Sequence, residues 1–200
     1  MPARRRSFVL SPASTSGKRA QLLFSARASF ELASRIRQPG GAPLGEVFSF
    51  LSGLYFRGKL SYARRFTAAG DPIHVITSDR GLVSVDAPVT LDDLRAMSAG
   101  AIDHEHDPYR TPLLRDADLL RRSLGGDAEV VLLGSIATEK YVAVLSEVLG
   151  SQLVFPVDFV GRGDMSRGGL MLRAASEGRE LPYIPATNAV RRGPRPGKLS

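Results

Sequence analysis

The chain contains no cysteine, which excludes disulfides, thiolate metal ligands and cysteine nucleophiles together. It has only three histidines. Two of them, His104 and His106, sit in Asp103-His104-Glu105-His106-Asp107, and no second histidine cluster completes a zinc-type ligand set. His104 and His106 could share a metal with the carboxylates beside them, but the stretch reads first as a solvated loop, and His74, inside an apolar strand run, reads as a satisfied core residue. No apolar run approaches the roughly 20 residues that span a bilayer. Behind the basic start Met1-Pro2-Ala3-Arg4-Arg5-Arg6, only Phe8 to Leu10 is apolar, too short for a signal peptide. Acidic residues are missing from both end segments. These absences lead to the expectation of a cytoplasmic protein with no membrane association and no implied cofactor or metal.

What is present is the composition of an ordinary globular domain. Of 200 residues, 43% are hydrophobic and 24% charged, enough for one domain with a sizeable core. The formal charge of +7 is unevenly placed. Arg4, Arg5 and Arg6 at one end and Arg191, Arg192, Arg195 and Lys198 at the other account for all of it, leaving residues 7–190 neutral by count. Basic ends of this kind attract phosphate backbones without sequence preference, and they also serve solubility. The organisation expected is a basic arm over 1–6, an α/β domain over 7–183 and a Pro/Gly/Arg-rich basic tail over 184–200.

Short apolar runs at 8–10, 73–77, 129–133 and 153–157 predict strands, and amphipathic stretches between them predict helices. Helices are expected over 18–27, 30–37, 44–51, 54–66, 113–124 and 137–149, with 107–112 a loop. Thr90, followed by Asp92 and Asp93, predicts a helix N-cap. Strands alternating with helices imply one α/β domain, a central parallel or mixed sheet flanked by helices. The segment from Phe30 to Leu51, broken by Gln38-Pro39-Gly40-Gly41-Ala42-Pro43, has the outline of a helix-hairpin-helix, whose turn N–H groups grip a DNA phosphate.

In open α/β sheets ligands bind beyond the carboxyl ends of the strands. Three such ends here are polar: Ser11 to Gly17, Ser78 to Gly81 and Gly134 to Thr138. Ser11, Ser78, Ser135 and Arg162 are therefore expected to line one cleft, and Ser135 and Thr138 precede a helix whose free N–H groups favour an anion. Lys18, Arg80, Lys140 and Tyr141 stand beside these ends and are assigned to the same nucleic-acid or phosphate contacts. Gly17-Lys18 after a strand does not make a P-loop, because Pro12 and Arg19 occupy positions that motif reserves for glycine and a hydroxyl. The stretch from Asp158 to Gly169 combines two carboxylates, two arginines and four glycines. Read as a loop, it offers Arg162 and Arg167 as a phosphate clamp and Asp158 or Asp164 as a general base, with Glu46 a weaker choice.

Several motifs together resemble the YaaA superfamily of bacterial peroxide-stress proteins. Val9-Leu10-Ser11-Pro12-Ala13 resembles that family's Leu-Ser-Pro-Ala opening, and Leu51-Ser52-Gly53-Leu54-Tyr55 its Leu-Ser-Gly-Leu-Tyr segment. Ala137-Thr138-Glu139-Lys140-Tyr141 is similar to Ala-Ser-x-Glu-Tyr with one residue inserted, and Arg162 to Arg167 to Arg-Gly-x-Met-Ser-Arg. The resemblance implies a compact α/β fold, duplex-DNA binding with a helix-hairpin-helix contribution, and a role in limiting oxidative DNA damage. On that reading Gly40, Gly41, Arg162 and Arg167 contact phosphates of double-stranded DNA. It also implies kinship with uracil-DNA-glycosylase-type sheets, so the first alternative is an enzyme hydrolysing an N-glycosidic bond in DNA or a nucleotide. A further alternative is a non-catalytic sensor that holds an anionic metabolite on Ser135 and Thr138.

Overall fold

In the computed structural model, residues 5–190, 192–194 and 196–197 are described. Phe8, Val9, Leu10 and the run Val130 to Leu133 are all buried, as strands between two helical layers must be. They form the centre of the sheet, β1 (Arg6–Leu10) beside β6 (Glu129–Leu133). β1 pairs in parallel with β6 on one side and with β3 (Ile73–Ile76) on the other, Phe8 standing opposite both Ile73 and Val131. β7 (Leu153–Pro156) continues the parallel set past β6. Antiparallel strands close both edges, β4 (Leu82–Ser84) on β3 and β8 (Tyr183–Pro185) on β7. The chain is a single α/β domain with a six-stranded mixed sheet in the order β4-β3-β1-β6-β7-β8.

Alternation along the strands divides the core. Phe8, Leu10, Val131 and Leu133 face a layer built from α1 (Lys18–Phe24), α2 (Glu31–Arg35), α3 (Leu44–Ser52), α4 (Leu54–Phe66), α5 (Leu91–Ala99) and α8 (Asp164–Glu177). Val9, Val130 and Leu132 face α6 (Asp107–Leu124) and α7 (Glu139–Leu149). Thr90 caps α5 as expected, in a reciprocal box in which its N–H donates to Asp93 at 2.8 Å. Among the described residues no helix is long and apolar enough to cross a membrane.

Several expected boundaries change. The loop placed at 107–112 is the first part of α6. Pro108 sits in the first turn, where a missing N–H costs nothing, and Pro112 is accommodated one turn later. The loop drawn from Asp158 to Gly169 ends at Gly163, since Asp164 opens α8. Gly168 therefore lies inside a helix, and a side chain there would meet the backbone of Leu54 and Tyr55 at 3.0 Å. Gly58 answers it from α4, its missing Cβ falling 2.7 Å from the Gly168 carbonyl oxygen. The two glycines let the helix backbones touch where they cross.

The ends also differ from the expected arm and tail. Arg6 lies in β1 and donates to Glu129 at 2.8 Å and Glu180 at 2.6 Å, while Arg5 pairs with Asp71 at 2.6 Å. The domain runs past residue 183 through β8, and Arg192 donates to the Ala137 carbonyl at 3.3 Å. Arg4, Arg191, Arg195 and Lys198 lie outside the described residues. The helix-hairpin-helix outline is reduced as well: α2 has five residues, and Ala42–Pro43 (β2) forms a short ladder with Pro88–Val89 (β5). The Gly41 N–H donates to the Gln38 carbonyl at 2.9 Å, and any side chain at Gly41 would strike the Val89 carbonyl 2.4 Å away. Gly41 thus serves close packing of its own chain. Gly40 is open to solvent, and a side chain there would meet nothing within 4 Å of its Cβ.

Candidate functional site

The parallel strands all end on one rim, and the rim opens into a cleft beyond the ends of β1 and β6. Its volume is about 420 Å³, and its walls include Ser11, Lys18, Arg19, Tyr55, Ser135, Tyr141 and Asp164. Each comes from a different local device. Ser11 is the first residue after β1, and its N–H donates to the Leu133 carbonyl at 3.1 Å, which ties the two strand ends together. Gly134 leaves room for Ser11 by lacking a side chain, since a Cβ there would lie 2.9 Å from Ser11 Cβ. Lys18 and Arg19 open α1, and Arg19 donates to the Phe50 carbonyl in the last turn of α3 at 3.0 Å. Asp164 is the first residue of α8, with its side chain 66% exposed.

The two tyrosines make the cleft a set of donors. Burial pushes the Tyr55 phenol up to about 12, against a lowering from Arg167. Tyr141 is pushed up to about 12 as well, by burial first and then by Tyr55 and Asp164. Both hydroxyls therefore stay protonated near neutrality. Tyr55 lines the cleft, and its buried hydroxyl makes no hydrogen bond of normal geometry among the described residues, although Arg167 and Ser11 stand near enough to act on it. A buried hydroxyl left without a partner costs about 1–3 kcal/mol, which a ligand acceptor would relieve.

Beneath Ser11 lies Lys59, fully buried in α4. Its ammonium donates to the Ser11 carbonyl at 2.5 Å and to Ser11 Oγ at 2.9 Å, and it sits 4.3 Å from the centroid of the Tyr55 ring. Burial pulls its pKa down to about 7; Asp164 opposes that fall and Arg167 adds to it. Sequence reasoning missed Lys59, Tyr55, Ser52 and Arg19. The signal for Lys59 was its spacing, since Tyr55, Phe56, Tyr62 and Ala63 define the buried stripe of α4 and Lys59 falls on it.

Of the residues expected in one cleft, Ser11 and Ser135 meet there, joined by Lys18, Tyr141 and Asp164. Ser78 is buried elsewhere on the rim, its hydroxyl donating to the Met97 carbonyl at 2.6 Å. Arg162 folds back on its own loop, donating to the Asp158 carbonyl at 2.9 Å and to Ser166 Oγ at 3.3 Å. Arg167 is buried, with bonds of 3.1 and 3.3 Å to the Phe159 carbonyl. The two arginines anchor the start of α8 instead of forming an open clamp. Asp158 stands in a short 3-10 turn outside the cleft lining. Arg80 is held between Asp79 and Asp93, both at 2.9 Å. Thr138 is the N-cap residue of α7 without a side-chain cap bond, and Lys140 is exposed, its carbonyl accepting from the Tyr109 hydroxyl at 2.8 Å. His74 differs from the satisfied core residue expected. It lines a separate groove with Asp116 and Leu119, its Nδ1 has no partner among the described residues, and burial lowers its pKa against a raising effect from Asp116.

No protein-family model, curated protein or solved structure matches the chain.

Proposed function

We propose that the rim cleft holds one nucleotide unit, free or within a DNA strand, and that the protein handles nucleic acid as a DNA-binding stress-protection protein. The observation that carries this reading is the buried Tyr55 hydroxyl, without a hydrogen bond of normal geometry among the described residues, in a cleft that also holds Tyr141, four serines, Lys18 and Arg19. Aromatic faces suit a base, the hydroxyls suit its polar edge or the sugar, and the two cations suit a phosphate. The cleft is of small-ligand size, too small for a duplex, so DNA would present a strand end or an extruded nucleotide. Further support comes from the motifs that resemble the YaaA superfamily. Ser11, Pro12 and Ala13 of the first, Leu51, Ser52 and Tyr55 of the second, Tyr141 of the third and Asp164 of the fourth all border this one cleft. The cellular role attached to it, limiting DNA damage, rests on that resemblance.

Titration calorimetry with nucleoside monophosphates and short single strands tests the reading. Binding is expected to weaken with salt, because phosphate charge is being neutralised. Tyr55→Phe is expected to weaken it about tenfold, the worth of one hydrogen bond to a buried hydroxyl. Equal binding by nucleosides and monophosphates, or no effect of Tyr55→Phe, would remove the nucleotide from the cleft.

One observation favours a hydrolytic version of this reading. Asp164 lines the cleft and Asp158 does not, so general-base activation of water for N-glycosidic cleavage falls to Asp164. Asp164→Asn is then expected to retain nucleotide binding while release of free base from nucleotide or damaged-base DNA drops by 10² or more, roughly the worth of a general base. Base release at the original rate by this variant eliminates the carboxylate.

A further inference from the structure

The floor of the cleft has the parts of a reaction centre that the nucleotide reading does not use. Ser11, 4% exposed, lines the cleft, and its Oγ lies 2.9 Å from Lys59 Nζ, which is fully buried behind it. Both hydrogen bonds of Lys59 go to Ser11, and neither goes to a carboxylate. Its remaining neighbours are the Tyr55 and Phe56 rings of its own helix, at 4.3 and 4.9 Å, with Asp164 and Arg167 acting on it from α8. Asp164 favours the charged amine and Arg167 the neutral one. As a neutral amine, Lys59 keeps one N–H on the Ser11 carbonyl and turns its lone pair to the Ser11 hydroxyl proton. That is the relation of a nucleophile to its base, the base held in place by a third group. The Ser11 carbonyl is that group.

We propose that Ser11 is a nucleophile and Lys59 its general base, acting on an acyl ester of the nucleotide unit bound in the cleft. The choice of substrate rests on the nucleotide reading; the serine–lysine pair does not. In the first step the Ser11 hydroxyl proton passes to Lys59 Nζ, and Ser11 Oγ forms a bond to the ester carbonyl carbon. The carbonyl electron pair moves onto its oxygen, where the protonated Tyr55 hydroxyl, which has no hydrogen bond of normal geometry among the described residues, donates to it. On collapse the bond to the nucleotide oxygen breaks, and the Lys59 ammonium returns its proton to that oxygen. Water then repeats the sequence on the acyl-serine with Lys59 as base, releasing a carboxylic acid and restoring Ser11. Lys18 and Arg19 at the cleft would hold the phosphate during both halves.

The test treats the full chain with an alkyl fluorophosphonate between pH 6 and 9 and maps the adduct by mass spectrometry. The expected result is one adduct, on Ser11, with fluoride lost and a rate that rises with pH to a plateau, half-maximal near pH 7. Ser11→Ala abolishes the adduct. Lys59→Met, checked for folding by circular dichroism, slows it about 100-fold or more, the usual worth of a general base. Release of acid from an aminoacyl ester of a mononucleotide follows the same three patterns. Wild-type protein left unmodified at Ser11 at pH 9 overturns the proposal, and so does labelling of folded Lys59→Met at the wild-type rate. Labelling of Ser11 without any nucleotide binding keeps the pair and rejects the nucleotide, whereas nucleotide binding without labelling does the reverse.

Discussion

Gly58→Val is expected to destabilise the protein by about 3 kcal/mol, the upper end for overpacking a close-packed contact. Spread over a domain of this length, that lowers the melting temperature by roughly 6–12 °C. The cause is the crossing of α4 and α8. A Cβ at Gly58 would lie 2.7 Å from the Gly168 carbonyl oxygen and 3.0 Å from Gly168 Cα, and both obstacles are backbone. Neither can turn aside as a flexible side chain would, so the helices must separate and the layer over Phe8 and Leu10 loses contact. The reciprocal change, Gly168→Val, is expected to cost a similar amount. Gly169, one residue further on, has nothing within 4 Å of its missing side chain. Gly169→Ala should therefore be neutral, or stabilising by up to about 1 kcal/mol through helix propensity. Thermal unfolding of the three variants decides the matter, and a Gly58→Val protein that melts with the wild type would mean that the helices do not cross in backbone contact.

The second large effect belongs to Lys59. Its folded pKa is depressed from 10.5 to about 7. Between those values the unfolded chain holds a proton that the folded chain has released. Stability must then rise with pH across the window, at a slope of up to about 1.4 kcal/mol per pH unit from this one group. Below pH 7 both states are protonated and the slope from Lys59 vanishes, with its burial penalty at full size. Lys59→Met retains the length of the side chain and removes the titration. Denaturant unfolding from pH 7 to 9.5 should show a wild-type stability that climbs and a Lys59→Met stability that is flat by comparison. The variant should be the more stable of the two at pH 7. Loss of the donor to the Ser11 carbonyl offsets part of that gain, by about 1–3 kcal/mol. Parallel pH profiles for the two proteins would show that Lys59 carries its charge throughout.

The parts of the fold that were legible in the sequence are those governed by local rules. Phe8-Val9-Leu10 and Val130 to Leu133 read as buried strands because each residue has a helical layer to face. Thr90 read as a cap because its partner, Asp93, is three residues away. The errors arose where a local rule was overruled by a distant contact. Pro112 signalled a loop, yet α6 runs through it. Gly168 signalled a loop, yet its small size serves a helix more than a hundred residues earlier in the chain. Arg5 and Arg6 looked free because their carboxylates, Asp71, Glu129 and Glu180, are 66 to 174 residues away. For the site, Ser11 and Ser135 were legible as polar strand ends, whereas Lys59 was hidden by the ordinary tendency of lysine to face water.

The order of strands has a consequence for how the chain reaches this state. Within the sheet β1 comes earliest in sequence yet lies in the middle, between β3 and β6, while β8 follows the other strands and closes an edge. One flank of β1 therefore stays unpaired until residue 133 has been synthesised, and the layer containing α4 stays uncovered until α8 follows it. Contacts of such long sequence separation slow folding and leave strand edges open in the meantime. A nascent chain stalled before β6 carries an apolar strand with one side unpaired, the kind of edge that invites pairing with another chain.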